Sequence, residues 1–294
     1  MKRILLVCFV ALALVSCFEE NEDMCLTLTF SIEDQMPNAD GNFDSRVGND
    51  ILLTAFRNGA AVWSEVIPYE RIQNGECTIK KPDGLDGNVV FVAWGVSVAE
   101  HSPTIYTPLT SSTSFDNFTL QQPGTNGNGL EVPNSFMFGT DSVTINSSGA
   151  THSNIALSPI TCGVEVRVHS EDEPDNPSGG SARIHGTATH ANLHGMGANS
   201  LAVVEPPLPS ISPNLYSTGI VRVMPSLSSP TSNEVSVVIM DGTQIVATLT
   251  APASTRVAAR SGGYILFDYY VTTSNVTITV EDWQVAGTVT VNNM

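Results

Sequence analysis

The chain has 294 residues, and its 12 basic and 29 acidic side chains give a formal net charge of −17 at pH 7. A surface this acidic repels nucleic acid and anionic lipid head groups, so we expect no nucleic-acid partner. Only 14% of the residues are charged, and the abundance of Thr, Ser, Asn, Gly and Val favours strands and turns over helices.

The amino terminus has the features of an export signal. Lys2 and Arg3 precede residues 4–15, a run of about twelve apolar residues, whereas a helix needs roughly twenty to cross a bilayer. The four residues LVSC, 14–17, then match the bacterial lipoprotein signal. In that signal the cysteine thiol receives a diacylglycerol, and the chain is cut before the cysteine. The alternative is an ordinary signal peptide in which Cys17 is incidental.

We therefore predict a signal peptide over residues 1–16, a lipid on Cys17, and an acidic linker over residues 17–23. Such a linker is solvated and serves as a spacer from the membrane. An acidic run directly after a lipidated cysteine also resembles the surface-export signal of Bacteroidetes lipoproteins. The expected location is the outer membrane, facing outwards. Apart from this covalent lipid, we expect no cofactor.

Short strands with alternating side chains fill the first part of the mature chain. Residues 25–32 (CLTLTFSI) place four apolar side chains on one face, as in a half-buried strand. Asn58 and Gly59 lie between two apolar runs, a strong signal for a hairpin. Residues 89–94 (VVFVAW) are apolar on both faces, which predicts a central strand. We predict a first β-sandwich over residues 24–160.

The same order of strand, polar loop, strand and hairpin recurs in the second part. Residues 163–168 (GVEVRV) alternate like the first strand, and Asp241 and Gly242 form a second hairpin signal. This repetition predicts a second β-sandwich over residues 161–294. The boundary is open by ten or more residues, because the strand at Gly163 could instead close the first sandwich.

Three cysteines remain after Cys8 leaves with the signal peptide and Cys17 is lipidated. Cys25 and Cys77 both lie in predicted strands, and an exported protein reaches an oxidising compartment. We predict that these two form a disulfide that would pin the first strand to its sheet. The alternative is that both are small buried thiols.

Metal binding and catalysis find little support in the sequence. Asn38, Asp40, Asn42 and Asp44 place oxygen atoms at alternate positions, as calcium loops do, but the closing glutamate is missing. We regard this loop as a weak calcium candidate and otherwise expect no metal.

Three neighbouring histidines, His185, His190 and His194, lack a metal-binding spacing and fit a polar strand. There is no G-x-S-x-G motif and no glycine-rich phosphate loop, so we do not expect an enzyme. Trp63, Trp94 and Trp283 could stack on sugars, although Trp94 fits a core better.

The mature chain resembles the Bacteroidetes fimbrillin superfamily, and within it the FimB-type minor subunits that anchor fimbriae. The resemblance rests on Cys17 and the strand that starts at Cys25, on residues 89–94, on residues 136–140 (FMFGT) and on residues 278–284 (ITVEDWQ). It implies two tandem transthyretin-like β-sandwich domains and a structural role without catalysis. It also implies two partners, the outer membrane through the lipid and the major fimbrial shaft subunit.

The resemblance further implies how subunits join. In this assembly system, shaft subunits lose their first strand by proteolysis after an arginine, and the groove accepts a carboxy-terminal strand from the next subunit. An anchor should keep its first strand and offer its own carboxy terminus. The candidate donor residues are Thr288, Val289, Thr290 and Val291, which alternate polar and apolar side chains. The alternative is that this strand completes the second sandwich of its own chain.

Arg46 departs from the anchor pattern, because it follows the first strand where a shaft-type cut could fall. Cleavage at Arg46 would indicate a shaft or tip subunit. The leading hypothesis is a fimbrial subunit, most simply the outer-membrane anchor of the shaft. The alternative is a surface lipoprotein or tip adhesin that binds glycans or host matrix.

Overall fold

In the computed structural model the described residues are mostly β-strand, which confirms the all-β sandwich prediction. The structure describes residues 25–32, 49–72, 75–97, 114–117, 119–121, 137–146, 151–170, 180–192, 194, 196–227, 234–251, 257–271, 275–282 and 285–292. Within these ranges, no helix is long and apolar enough to cross a membrane.

Within the described ranges the strands run in chain order from β1 to β19, and two short 3-10 helices, Tyr69–Arg71 and Phe115–Asn117, lie between them. The strands are β1 Cys25–Ile32, β2 Asn49–Arg57, β3 Ala60–Ile67, β4 Glu76–Lys80, β5 Gly87–Ser97, β6 Thr119–Gln121, β7 Met137–Ile145, β8 Thr151–Pro159, β9 Cys162–His169, β10 Gly180–Asn192, β11 Gly197–Val204, β12 Ser210–Ser212, β13 Leu215–Ser217, β14 Val221–Val223, β15 Ser236–Asp241, β16 Gln244–Thr250, β17 Tyr264–Tyr270, β18 Asn275–Asp282 and β19 Val285–Asn292.

The first hairpin forms where the sequence predicts it. Asn58 and Gly59 both have positive φ, 51° and 79°, as a two-residue turn between β2 and β3 requires. The second predicted hairpin also forms, with β15 and β16 paired from Ser236 opposite Thr250 to Asp241 opposite Gln244. Local turn chemistry therefore fixes both strand pairs.

The strands of the first half follow the order β3-β2-β5-β7-β8-β1-β4. Only two residue pairs, Met137 with Pro159 and Phe138 with Ser158, join β7 to β8, so the sheet turns a corner there. The two layers enclose a core that includes Leu26 and Leu28 of β1, and Leu53 and Phe91 from the opposite layer. The predicted first sandwich over residues 24–160 stays a prediction, which this core supports.

Strand β5 is central, as predicted, and both of its faces are covered. Val89, Phe91 and Ala93 face the first core. Val92 and Trp94 belong to another apolar cluster, which also contains Ala188 and Met224 from the second half of the chain. Trp94 is only 1% exposed, so it packs in a core, in agreement with the sequence-based interpretation.

The second half forms a sheet of order β11-β10-β15-β16 and a sheet of order β12-β13-β9-β17-β18-β19, with β14 also paired to β9. The core between them contains residues from Cys162 to Ile278, including Val166, Ile184 and Phe267. The core of the first half ends at Leu157. The boundary after residue 160 stays a prediction, which this separation of the cores supports.

One segment of the first half pairs with the second half. Strand β6 lies antiparallel to β10, with Leu120 opposite Ala191. Just before it, the Phe115 ring packs edge-on against Phe56, with 5.4 Å between ring centroids.

Strand β10 contains a glycine that no other residue could replace without strain. Gly186 has a φ of +83° at a shift in the register between β10 and β11. A Cβ at Gly186 would lie 2.2 Å from the backbone oxygen of Glu234. The Ser226 hydroxyl holds this bend by donating a hydrogen bond of 2.6 Å to the Gly186 carbonyl.

We expect Gly186→Ala to destabilise the chain much more than Gly84→Ala. Gly84 also has a positive φ, +75°, but a Cβ there would have no atom within 4 Å. In the control, the left-handed backbone alone should lower the free energy of unfolding by about 1 to 2 kcal/mol. In Gly186→Ala, overpacking should lower it by about 1 to 3 kcal/mol more. Urea unfolding of both variants would measure the difference, and equal losses would contradict the close contact.

Candidate functional site

Several predicted site residues lie outside the described residues. These are the lipidation site Cys17, the protease-sensitive Arg46 and the weak calcium candidates Asn38, Asp40, Asn42 and Asp44. Their proposed roles stay predictions. The remaining candidates are the first strand, the two cysteines and the last strand, and the structure describes the backbone of each of them.

The first strand lies inside its sheet. β1 pairs in parallel with β8 from Leu26 to Ile32, and antiparallel with β4 from Cys25 to Thr29. Its side chains Leu26, Leu28 and Phe30 are at most 4% exposed in the first core. If β1 were removed, a groove with two unpaired strand edges and an apolar floor would open between β8 and β4. Such a groove can accept a strand from another chain.

The predicted disulfide between Cys25 and Cys77 does not fit this register. Cys77 lies opposite Leu28, and Cys25 lies three positions away, opposite Lys80. Cys77 is buried with the core-facing residues, whereas Cys25 lies on the other face and is half-buried. Two thiols on opposite faces of a strand pair cannot meet, so the prediction is corrected. Burial raises the pKa of the Cys77 thiol, which is typical of an inert packing residue.

The last strand pairs within its own chain. β19 lies antiparallel to β18 through eight residue pairs, from Asn275 opposite Asn292 to Asp282 opposite Val285. This agrees with the alternative in which the candidate donor residues 288–291 complete the second sandwich. In the described part of the chain, β19 is the last strand of its sheet and has β18 as its one neighbour. The donor role of this segment stays a prediction.

A polar cluster that no sequence pattern indicated lies on β9, β13 and β17. Glu165 of β9 is only 7% exposed, and four donor groups surround its carboxylate. Arg167 donates from Nε at 2.7 Å and from Nη2 at 3.2 Å, Ser217 at 2.9 Å and Tyr264 at 2.6 Å. This arrangement joins β9, β13 and β17 on the outer face of the sheet.

The same face continues with His169 and Asp268, whose Nε2 and Oδ1 atoms are 2.8 Å apart. The His169 ring stacks on Tyr270 with 4.3 Å between centroids and 7° between planes. Glu165, Arg167 and His169 alternate along β9 as the sequence pattern indicates. Their partners on β17, which are Tyr264, Asp268 and Tyr270, lie about a hundred positions later, and the parallel pairing of β9 with β17 brings them close.

Glu165 should be a stabilising group rather than a reactive one. Burial acts to raise the pKa of its carboxyl, but the hydrogen bonds from Arg167, Tyr264 and Ser217 outweigh burial, and the pKa is lowered from its ordinary value of 4.5. A carboxylate held in its charged form by three partners is a poor general acid or base near neutral pH. The cluster therefore ties strands together.

We expect Glu165→Gln to lower the free energy of unfolding by about 1.5 to 3 kcal/mol, the range for hydrogen bonds to charged groups. The matched control is Glu205→Gln, whose carboxylate pairs with Arg183 at 2.8 Å in a more exposed position. That exposed pair should be worth about 0 to 1 kcal/mol. Chemical unfolding at pH 7 would compare the two variants, and a larger loss for Glu205→Gln would contradict this assignment.

The pH dependence has a definite sign. The pKa of Glu165 is lower in the folded chain than in the unfolded chain, so the unfolded state gains the proton first as the pH falls. The contribution of Glu165 is complete above about pH 4.5 and disappears as the pH falls through the lowered pKa. Wild type and Glu165→Gln should therefore converge in stability at acidic pH.

The three neighbouring histidines do not form a metal centre. Burial lowers the pKa of His185, with a smaller contribution from Arg183, and burial also lowers the pKa of His190. The His190 Nδ1 atom lies 2.9 Å from the hydroxyl of Thr189, and the His194 ring packs edge-on against Phe115. Among the described residues, no three His, Cys, Asp or Glu side chains lie close enough to hold a metal ion together.

Comparison with known proteins identifies a family that covers most of the chain. Residues 19–288 match the family model of fimbrillin-A associated anchor proteins Mfa1 and Mfa2. No protein with a curated description matches the chain.

Several solved structures share the fold. The fimbrial anchor protein Mfa2 from Porphyromonas gingivalis has a TM-score of 0.54 at 13% identity, over 83% of this chain and 90% of that one. A fimbrial assembly protein from Parabacteroides distasonis has a TM-score of 0.51 at 12% identity, and the match covers 91% of this chain and 98% of that one. A candidate polysaccharide-binding protein from Bacteroides thetaiotaomicron has a TM-score of 0.62 at 14% identity, and the match again covers 91% of this chain and 98% of that one.

Proposed function

The chain belongs to the family of fimbrillin-A associated anchor proteins, and from this membership we propose that it is the subunit that holds a fimbria on the outer membrane through a lipid on Cys17. The family match over residues 19–288 is the observation that carries the proposal. It makes the chain a structural subunit of a cell-surface fimbria. The sequence adds the means of attachment, because Cys17 follows a short export signal and is the eighth residue before β1.

β1 joins the proposed lipid to the first sandwich. The lipid would be joined to the sandwich only through the linker and β1, and β1 is paired on both sides with its apolar face in the core. A shaft subunit must lose its first strand before another subunit can be inserted. An anchor that lost β1 would also lose its lipid, so the proposed role requires that this strand stay in place.

We propose that the shaft joins at the carboxy-terminal end of the chain. β19 ends its sheet in the described part of the chain, and a strand with an open side can pair with another chain through its backbone. Two routes are compatible with this position. β19 can leave β18 and enter the groove of a shaft subunit, or it can stay and accept a strand on its outer side.

The proposed activity is mechanical attachment without catalysis. The protein needs no cofactor for this task beyond its covalent lipid, and the net charge of −17 disfavours nucleic acid. Several acyl chains hold a protein firmly in a membrane, because each buried CH₂ group contributes about 0.8 kcal/mol.

Deletion of the gene in the native bacterium tests the proposal. Cells without the anchor should still assemble fimbriae, but these should be shed into the medium. Immunoblots of the shaft protein in cell and medium fractions would measure the release, and the wild-type gene supplied in trans should reverse it. Fimbriae that remain on the deleted strain would refute the anchor role and favour a tip adhesin.

A further inference from the structure

The strand that follows the lipid site and the strand that leaves the first sandwich lie side by side. β1 and β8 are parallel and pair through seven residues, from Leu26 with Thr151 to Ile32 with Leu157. The lipid side of the chain enters β1 at Cys25. The chain leaves at the opposite end, where β8 continues through residues 160 and 161 into β9.

The second half repeats this geometry. β9 and β17 are parallel and pair through seven residues, from Gly163 with Tyr264 to His169 with Tyr270. β17 pairs with β18, and β18 with β19, so that β19 runs in the same direction as β9. The chain therefore enters this sheet at the Gly163 end and reaches its last described residue, Asn292, at the His169 end.

We propose that these parallel strands form a mechanical clamp that carries tension between the membrane and the fimbria in shear. A pull at the start of β1 and at the end of β8 slides the two strands along each other, so all seven residue pairs are loaded together. A pull at one end of a hairpin opens its pairs one at a time. The inference rests on the proposed function, because an anchor is loaded between its lipid at one end and its joint with the shaft at the other.

The junction between the halves is suited to transmit the load. Ile160 and Thr161, which join β8 to β9, are at most 1% exposed. Ile160 belongs to the apolar cluster that Phe56 and Trp94 share with Met224 of the second half. The pairing of β6 with β10 adds a second connection. A pull therefore meets packed side chains at the junction instead of a slack linker.

Single-molecule force spectroscopy can compare two directions of pulling on one protein. The mature chain carrying Cys17→Ala, which keeps it free of lipid, would be held by tags at its amino and carboxy termini. In the control, the second tag is inserted in the turn at residues 82–85. Because Lys80 at the end of β4 lies opposite Cys25 at the start of β1, the control pulls both strands from the same end and peels them apart.

We expect a rupture force several-fold higher between the termini than in the control, because forced unfolding depends on the barrier along the pulled direction. Equal forces in the two directions would overturn the clamp. The result does not depend on fimbriae. A large difference in force would support the clamp even if the gene deletion left fimbriae attached. Equal forces together with shed fimbriae would support the anchor role and refute the clamp.

Two matched proline variants locate the clamp. The Phe30 N–H bonds the Gly75 oxygen on the β4 side, and successive N–H groups of a strand alternate in direction, so the Thr29 N–H faces β8. Thr29→Pro removes that donor and should lower the rupture force between the termini. Thr78→Pro changes only the edge strand β4 and should leave the force near that of the wild type. If both variants rupture at the same force, the resistance to pulling does not come from the pairing of β1 with β8.

Discussion

Replacement of Cys17 by alanine should release the protein from the outer membrane while its fold survives. The thiol is the proposed attachment point of the lipid, so its loss should remove the acyl chains that hold the protein in the membrane. Labelling with an alkyne fatty acid, followed by membrane fractionation, would measure the effect. The variant should lose the label and move to the soluble fraction, and its fimbriae should be shed.

The matched control is Cys25→Ala, which removes a thiol eight residues further along the chain. Cys25 is half-buried at the start of β1 and has no part in the proposed lipidation. This variant should keep both the label and the membrane location. A Cys17→Ala protein that is labelled as strongly as the wild type would refute the lipid assignment.

Features that depend on neighbours in sequence could be predicted. The alternation in β1 places Leu26 and Leu28 in the core, and the turn at Asn58 and Gly59 joins β2 to β3 as expected. The doubly apolar pattern of residues 89–94 correctly indicated a central strand, because both faces of that strand are covered. Side-chain period and turn chemistry are local properties, and a single sequence displays them directly.

Features that depend on distant pairing could not be predicted. Glu165 and Tyr264 meet only because β9 and β17 are parallel neighbours, and no local pattern encodes that choice. The disulfide prediction failed for a different reason. The alternation of β1 puts Cys25 on the face opposite to Leu26 and Leu28, whereas Cys77 lies opposite Leu28 and faces the core. Where one face of a strand is buried, this alternation decides which side chains can meet, so the signal was local and was overlooked.

Removal of residues 287–294 should detach fimbriae while the protein keeps most of its stability. β19 has one neighbour in the described sheet, and its loss leaves β18 paired with β17 through seven residues. A lone strand gains nothing until it pairs, so this segment can exchange the backbone hydrogen bonds of β18 for those of a shaft subunit. The melting temperature and the fraction of shaft protein in the medium would be measured together.

A pair of double variants tests which face of the segment matters. Aspartate at Val289 and Val291 should disrupt the joint, since burial of two valines in the shaft groove would contribute about 3 to 6 kcal/mol. Aspartate at Thr288 and Thr290, on the opposite face, is the matched control and should have a smaller effect. A durable joint also needs the backbone ladder, so the deletion should release more fimbriae than either double variant.

The outcomes separate the two roles of β19. If the deletion sheds fimbriae and changes the melting temperature little, the strand acts as the link to the shaft. A collapse in melting temperature would assign the strand to its own core, through its eight residue pairs with β18. Fimbriae that stay attached to a stable, truncated protein would exclude the carboxy terminus as the joint. The shaft would then have to bind another edge, such as β16, where Ile245 is 66% exposed and Val246 49% exposed.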